Sequence, residues 1–236
     1  MPTVKEVFGE VLGKLRIREL TVSAAREVAP RFRRIDLSGT TLRGASFEPG
    51  NKLQIMLRGG TRTYSPFAFD AERGALSLLV YVHGSSPGAA WAERVSEGER
   101  VRVFGPRASL ALRSLRAPVV LFGDESSFGV ARALAEASAT PSACVFEVSR
   151  PADSALALEH LALAQDGLVS RRDDDAHLSE VAERLRGLLA RDPAASLVLT
   201  GRAAAIQRLR AALKGPSTGR EQKTKAYWAL GKRGLD

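Results

Sequence analysis

Two textures of hydrophobic spacing follow one another along this chain. In the N-terminal portion apolar residues tend to recur at alternate positions: Leu15, Ile17 and Leu20–Val22, then Phe32, Ile35 and Leu37, then Leu53–Leu57, Ser65–Phe69, Leu76–Val82 and Val101–Phe104. Alternation of this kind marks strands with one buried face. The runs Glu48-Pro49-Gly50-Asn51, Gly59-Gly60 and Arg73-Gly74 separate them with turn chemistry. About six short strands with one intervening helix at Gly88–Val95 predict an antiparallel β-barrel. Ahead of them Val4, Val7, Phe8, Val11 and Leu12 are spaced as an amphipathic turn or short helix.

After Pro118 strands alternate with helices. Strands are predicted at Val119–Phe122, Ala143–Val148, Gly167–Ser170, Ser196–Thr200 and Lys225–Leu230, with helices at Ser127–Ala137, Ala155–Leu163, Leu178–Leu189 and Ala203–Leu213. That order predicts a parallel, doubly wound α/β sheet, which binds ligands outside the carboxyl ends of its strands. The fold class is therefore β followed by α/β. Its domains are 1–113 and 118–236, divided by the break at Arg113–Pro118, with a cleft between them.

At 236 residues the chain is long enough for two small domains that each bury a core. A single cysteine excludes an intramolecular disulfide framework and Cys-rich metal or cluster sites. Cys144 lies in the apolar run 143–146 and reads as a small buried hydrophobe. The three histidines form no local zinc pattern, so no metal site is assigned. No apolar segment is long enough for a transmembrane helix, and no secretory signal opens the chain, so a cytoplasmic protein without membrane insertion is expected. The net charge of +9 would suit nucleic acid, an anionic membrane or a small anion. No nucleic-acid motif accompanies it, which leaves a solvated surface or a basic approach for a small anionic ligand.

The candidate chemistry begins at Arg62-Thr63-Tyr64-Ser65, where a strand gives way to Pro66. A guanidinium forks onto phosphate oxygens, a phenol ring packs beside a flat aromatic system, and a hydroxyl both donates and accepts. About twenty residues on, His83-Gly84-Ser85-Ser86-Pro87-Gly88-Ala89-Ala90-Trp91 forms a glycine-rich turn opening a helix, where free N–H groups and the helix dipole favour an anion. Together they suggest a dinucleotide carrying a flat reactive ring, with flavin the foremost candidate. Each alone also reads as a surface Arg beside a half-buried Tyr, or as an ordinary helix cap.

These segments resemble siderophore-interacting proteins of the ferredoxin-reductase-like superfamily. The likeness extends through Gly98–Val101 and Phe104-Gly105-Pro106-Arg107 to Gly123-Asp124-Glu125-Ser126 and Lys225-Ala226-Tyr227-Trp228 with Gly231. It implies an enzyme that passes electrons from NADPH or NADH through FAD to a ferric siderophore, releasing Fe(II). Arg62 would then meet the pyrophosphate, Tyr64 would flank the ring, and Ser65, the catalytic candidate, would hydrogen-bond flavin N5. Backbone groups of Tyr81, Val82 and His83 would reach the ring's polar edge. Gly84, Ser85, Ser86, Gly88, Ala89 and Ala90 would cradle the diphosphate, while Trp91 packs the helix. Thr63 belongs to the same cofactor-binding stretch.

On the nucleotide side the resemblance points to Gly123, Asp124, Glu125 and Ser126, to Thr200-Gly201, and to Tyr227-Trp228, which would shield the flavin or receive substrate. Ser149-Arg150 at the end of the second predicted strand suits a 2′-phosphate, with Arg171-Arg172 assisting and Glu147 pointing away. Lys52, Arg202 and Lys225 are the candidate substrate cations. The chain departs from the family in carrying Gln54 on a strand that usually has a basic residue, Phe67 where a second Arg is common, and Arg202 where an acid is common. Alternatives are a flavoprotein serving another acceptor (a quinone, a flavin or a redox protein) and a non-catalytic siderophore- or flavin-binding module.

Overall fold

A computed structural model describes residues 17–84, 86–137, 143–214 and 221–232. The segment ending at Leu12, Ser85 and most of the loop 215–223 lie outside the described residues. The N-terminal strands are β1 (Ile17–Ala29), β2 (Phe32–Ser38), β3 (Lys52–Leu57), β4 (Gly60–Tyr64), β5 (Ala68–Asp70), β6 (Ala75–Tyr81) and β7 (Arg100–Arg107). They form a seven-stranded antiparallel sheet in the order β4-β3-β7-β1-β2-β6-β5. Its ends are β4 and β5, which no ladder joins among the described residues. The alternation works as expected: Leu20 and Val22 of β1, Ile35 and Leu37 of β2, and Leu78 and Val80 of β6 enter one apolar core. Helix α1 (Pro87–Arg94) adds Trp91 and Ala92 to that core.

The strand expected at Ser65–Phe69 is shorter than its apolar pattern. Pro66 has no N–H for a ladder, so β5 begins only at Ala68 and Ser65 lies in the connection after β4.

In the C-terminal half, β8 (Val119–Asp124), β9 (Ala143–Val148), β10 (Leu168–Ser170), β11 (Ser196–Arg202) and β12 (Gln222–Trp228) form a parallel sheet in the order β10-β9-β8-β11-β12. Helices α2 (Phe128–Ala137), α3 (Pro151–His160), α4 (His177–Arg191) and α5 (Ala203–Ala212) alternate with the strands. Every residue of β8 is buried, as a central strand covered on both faces requires. Val120 and Phe122 face the cluster containing Leu185 of α4 and Leu209 of α5. Val119 and Leu121 face the opposite one, with Leu134 of α2 and Leu158 of α3. The chain builds outward from β8 to β10 and then returns to β11, which puts the reversal of strand order between β8 and β11. Among the described residues no helix is long and apolar enough to cross a membrane.

The cluster under α2 and α3 is completed from the other sheet. Phe32 of β2, Phe67, and Leu110 and Leu112 of the connecting segment all enter it. Phe32 stacks on Phe128 with ring centroids 5.6 Å apart and planes 9° apart, and Phe128 meets Phe146 edge-on at 4.8 Å. The next residue, Gly129, lets α2 approach the Ser65 turn closely: a Cβ there would stand 2.8 Å from the Ser65 carbonyl oxygen. Helix propensity alone would make Gly129→Ala stabilising by about 1 kcal/mol. Because the obstacle is backbone, the substitution is expected to destabilise instead, by about 1–3 kcal/mol. A urea unfolding curve with its midpoint raised would refute this contact.

Candidate active site

The Arg62–Ser65 stretch and the glycine-rich turn, some twenty residues apart in sequence, meet in space. Gly88, in the first turn of α1, packs so closely on β4 that a Cβ would lie 2.8 Å from Tyr64 Oη and 3.3 Å from Arg62 Cγ. Only glycine permits this approach. Trp91, one turn along the helix, lies 5.9 Å from the Tyr64 ring. Burial pushes the Tyr64 phenol above its ordinary pKa against the opposing pull of Arg62, so it stays protonated at neutral pH. Arg62 Nη1 donates to the Thr61 carbonyl at 2.8 Å, an exposed contact that leaves the other donors of its fork for a ligand. Thr63 is exposed on the same strand.

The helix opening supplies fewer donors than its sequence suggests. The Ala89 amide donates to the Ser86 hydroxyl at 3.2 Å and the Ala90 amide to the Ser86 carbonyl at 2.9 Å. Both are engaged in capping, as is usual for a serine before a helix. Gly88 retains a first-turn amide, a position without an intrahelical acceptor. Gly84, at φ +59°, has open space where a side chain would stand. Of the expected backbone groups on the ring side, the Val82 amide is taken by the Arg31 carbonyl at 2.7 Å.

The two sheets meet in a seam of aromatic and hydroxyl side chains. Tyr227, at the end of β12, hydrogen-bonds the Ser65 side chain, and burial pushes its pKa up to about 12. Trp228 Nε1 donates to Asp124 Oδ2 at 2.7 Å, and its ring lies 6.3 Å from that of His83. His83 in turn stacks on Tyr81 at 5.3 Å, and the Tyr81 hydroxyl is 2.7 Å from Ser149 Oγ. Burial lowers the His83 pKa, with Glu125 pulling against it, and favours the neutral imidazole.

The carboxyl ends of the parallel strands hold a dense set of charges. Glu125 Oε1 accepts from both the amide and the hydroxyl of Ser149 at 2.6 Å, while its Oε2 accepts from Arg171 Nη2 at 2.7 Å. Glu147 does not point away from the strand-end cations. It is fully buried and receives both Arg202 Nε and Nη2 at 2.9 Å, with His177 Nε2 2.6 Å from Oε2. A buried carboxylate must be paired to remain charged, and the alternation of β9 turns Glu147 inward, where those partners lie. Arg202 also reaches Asp175 at 2.6 Å, which depresses the Asp175 pKa. Arg202 is thus consumed within the fold and is not the substrate cation expected. Lys52, only 7% exposed, offers no surface charge either. Lys225 remains half-buried on β12.

Other expected nucleotide contacts are internal as well. Thr200 Oγ1 donates within the protein, with the Phe122 carbonyl at 3.0 Å and Ser127 Oγ at 2.9 Å, and is wholly buried. Gly123 sits against those same groups. Asp124 caps the turn that follows it, its Oδ1 accepting from the Ser126 amide at 2.9 Å and from the Ser126 hydroxyl. Gly201, at φ +95°, leaves room for Asp124 Oδ2, which a Cβ would approach to 2.5 Å. Ser149 and Arg150 are both exposed, and only Ser149 is tied into the Glu125 cluster. On the neighbouring strand face, Cys144 has its thiol pKa pushed up to about 12 by burial, with Asp166 adding to the effect. No group of three or more His, Cys, Asp or Glu among the described residues is arranged to hold a metal ion.

Residues 49–110 match the siderophore-interacting FAD-binding domain family. Over those residues the chain is similar to a siderophore-interacting flavin domain. A siderophore utilization protein from T. fusca superposes with a TM-score of 0.68 and 25% identity, covering 94% of this chain and 96% of that one. The NADPH-dependent ferric-chelate reductase of Escherichia coli (strain K12) is 27% identical over 146 residues, a match spanning 52% of this chain and 57% of that protein. The phthalate dioxygenase reductase structure shares the fold, with a TM-score of 0.69 and 18% identity over 92% of this chain and 70% of that one. The matched stretch contains both Arg62–Ser65 and the Ser86–Trp91 helix opening.

FAD fits the site as built. Arg62 keeps guanidinium donors beyond its contact with Thr61, Gly88 keeps a first-turn amide beside it, and nothing stands within 4 Å of where a side chain would lie at Gly84. Long-range partnerships escaped the sequence: nothing local marks His177 as a partner of Glu147, thirty positions away in the chain. The same holds for Arg33, whose contacts lie on α1.

Asp124 titrates abnormally. Burial, reinforced by Glu125, raises its pKa to about 6, although Ser126 and Trp228 donate to it. Between the unfolded value of about 3.9 and about 6 the folded state holds a proton that the unfolded state has released. Stability therefore falls as pH rises through this window, by up to about 3 kcal/mol. Asp124→Asn removes that titration while keeping an acceptor for Trp228. The stability of the variant minus that of the parent is expected to grow between pH 4.5 and pH 7.5, measured by urea unfolding; a difference independent of pH would contradict it.

Proposed function

We propose that this protein is an FAD-dependent reductase that takes electrons from NADPH or NADH and delivers them to a ferric siderophore, releasing iron as Fe(II). The observation that carries this reading is the packing of Arg62 and Tyr64 against the first turn of α1 through Gly88, within a domain of the siderophore-interacting family. FAD supplies what side chains lack, the conversion of a two-electron donor into one-electron steps.

The side chains bind and orient. Arg62 and the Gly88 amide take the diphosphate, Arg62 as a fixed fork and the amide through the positive end of a helix. Tyr64 is neutral and forms the wall between them. Ser65 presents a hydroxyl at the seam between the sheets; Tyr227, protonated at any physiological pH, holds it in place until ligands enter. Trp228 covers the same edge, fixed from behind by Asp124. With Ser149 and Arg171 bound to Glu125, the 2′-phosphate of NADPH falls to Arg150, which is exposed at the end of β9. A chain with 35 basic against 26 acidic residues favours an anionic siderophore.

The test is spectroscopic. The protein is mixed with FAD and reduced anaerobically by NADPH, and a ferric siderophore is then added with a chromogenic Fe(II) chelator. Flavin absorbance should bleach and return as the Fe(II) complex forms. Bleaching that only a quinone or a redox protein reverses would replace the siderophore with that acceptor. Bound flavin that no pyridine nucleotide bleaches would leave a binding module. Arg62→Ala is expected to raise the Kd for FAD roughly 10- to 100-fold, the loss of a charged hydrogen-bonding group, and an unchanged Kd would exclude Arg62 from the site.

A further inference from the structure

Helix α1 has eight residues, about 12 Å of helix. A helix this short is not stable by itself in water, yet the flavin reading asks its first turn to hold a fixed position against a diphosphate. Its N-terminal end is held by the Ser86 cap and its middle by the buried Trp91. Its far end is held by Arg33. Arg33 Nη1 donates to the carbonyls of Ala92 and Glu93, the latter at 2.6 Å, and Nη2 lies 3.4 Å from that of Val95. These carbonyls at the helix end lack intrahelical partners and form the negative pole of its dipole, so a guanidinium satisfies both hydrogen bonding and charge.

Arg33 is placed there by β2. Neighbouring residues of a strand point to opposite faces: Phe32 turns into the core shared by both sheets, opposite Tyr81 in the β6 ladder, and Arg33 turns to α1, opposite Val80. No carboxylate is within ion-pair distance of Arg33 among the salt bridges of the described residues. Among the described residues its guanidinium donates to backbone carbonyls.

We propose that Arg33 is a positioning residue for FAD: by clamping the C-terminal end of α1 it sets the orientation of the first turn toward the diphosphate, without touching the cofactor. This rests on the flavin reading above. It makes a distinction that a merely structural arginine would not. Binding of FAD, which carries the diphosphate, should depend on Arg33; binding of riboflavin, which has the ring and no phosphate, should not.

The experiment is a fluorescence-quenching titration of FAD and of riboflavin against the full chain, Arg33→Ala and Arg33→Lys, with the apoprotein melting temperature recorded for each. Arg33→Ala is expected to weaken FAD about tenfold and to leave riboflavin within about twofold. Arg33→Lys, which keeps the charge but can reach only one carbonyl, should retain part of the loss, still weakening FAD and not riboflavin. Equal weakening of both ligands, or FAD affinity unaltered in a folded Arg33→Ala, would overturn the proposal while leaving the flavin reading intact. Should Arg33→Ala fail to fold, Arg33→Lys decides: its single ammonium cannot span the carbonyls that the fork spans, so a residual selective loss for FAD supports the role and its absence removes it. A parent protein that binds riboflavin and FAD equally well, or neither, overturns the reading on which the proposal stands.

Discussion

The stack of Phe32 on Phe128 holds this molecule together as one object. Two sheets of different architecture would ordinarily each close their own core and meet through a wet, polar interface. Here one core belongs to both: Phe32 and Phe67 come from the antiparallel sheet, and Phe128 and Phe146 come from the parallel sheet and its first helix. Dense packing transmits displacement instead of absorbing it, so the seam above this core inherits its rigidity. That seam is where Ser65 meets Tyr227 and Tyr81 meets Ser149.

A second constraint is electrostatic. The carboxyl ends of β8, β9 and β11 bring Asp124, Glu147 and Arg202 together at the reversal of strand order, a place where such sheets bind ligands. Buried charges there are matched almost completely within the protein: Glu147 by Arg202, Glu125 by Arg171, Asp175 by Arg202. Asp124 is the exception in kind, since its donors are the neutral groups of Ser126 and Trp228. Burial with Glu125 close by favours the protonated carboxyl and outweighs the pull of those donors toward the carboxylate, which accounts for the direction of its shift.

Much of the architecture was legible from spacing alone. Helices and strands after Pro118 were readable because doubly wound sheets write their period into the chain: β9 spans the predicted residues 143–148, and β8, β11 and α5 depart from expectation by at most two residues at an end. The antiparallel half was less legible where a residue without an N–H interrupts an apolar run, as Pro66 does before β5. Candidate site residues divide along a similar line. Arg62, Tyr64, Ser86 and Gly88 form a local pattern, and they come together. Lys52, Thr200 and Arg202 were chosen by position in the chain; Lys52 is buried, while Thr200 and Arg202 turn to partners on neighbouring elements, Phe122 and Ser127 for the one, Glu147 and Asp175 for the other. Partnerships of that kind are set by register between distant strands, which no window of sequence contains.

Cys144 has a practical corollary. Its thiol, with a pKa near 12, is almost entirely protonated at neutral pH, and the thiolate is the reactive form. Maleimides and iodoacetamides should pass it by in the native protein. A cysteine introduced on the surface would then be the sole labelling site, and a pair of them, one on each sheet, would give a distance ruler across the seam with no need to remove the native residue.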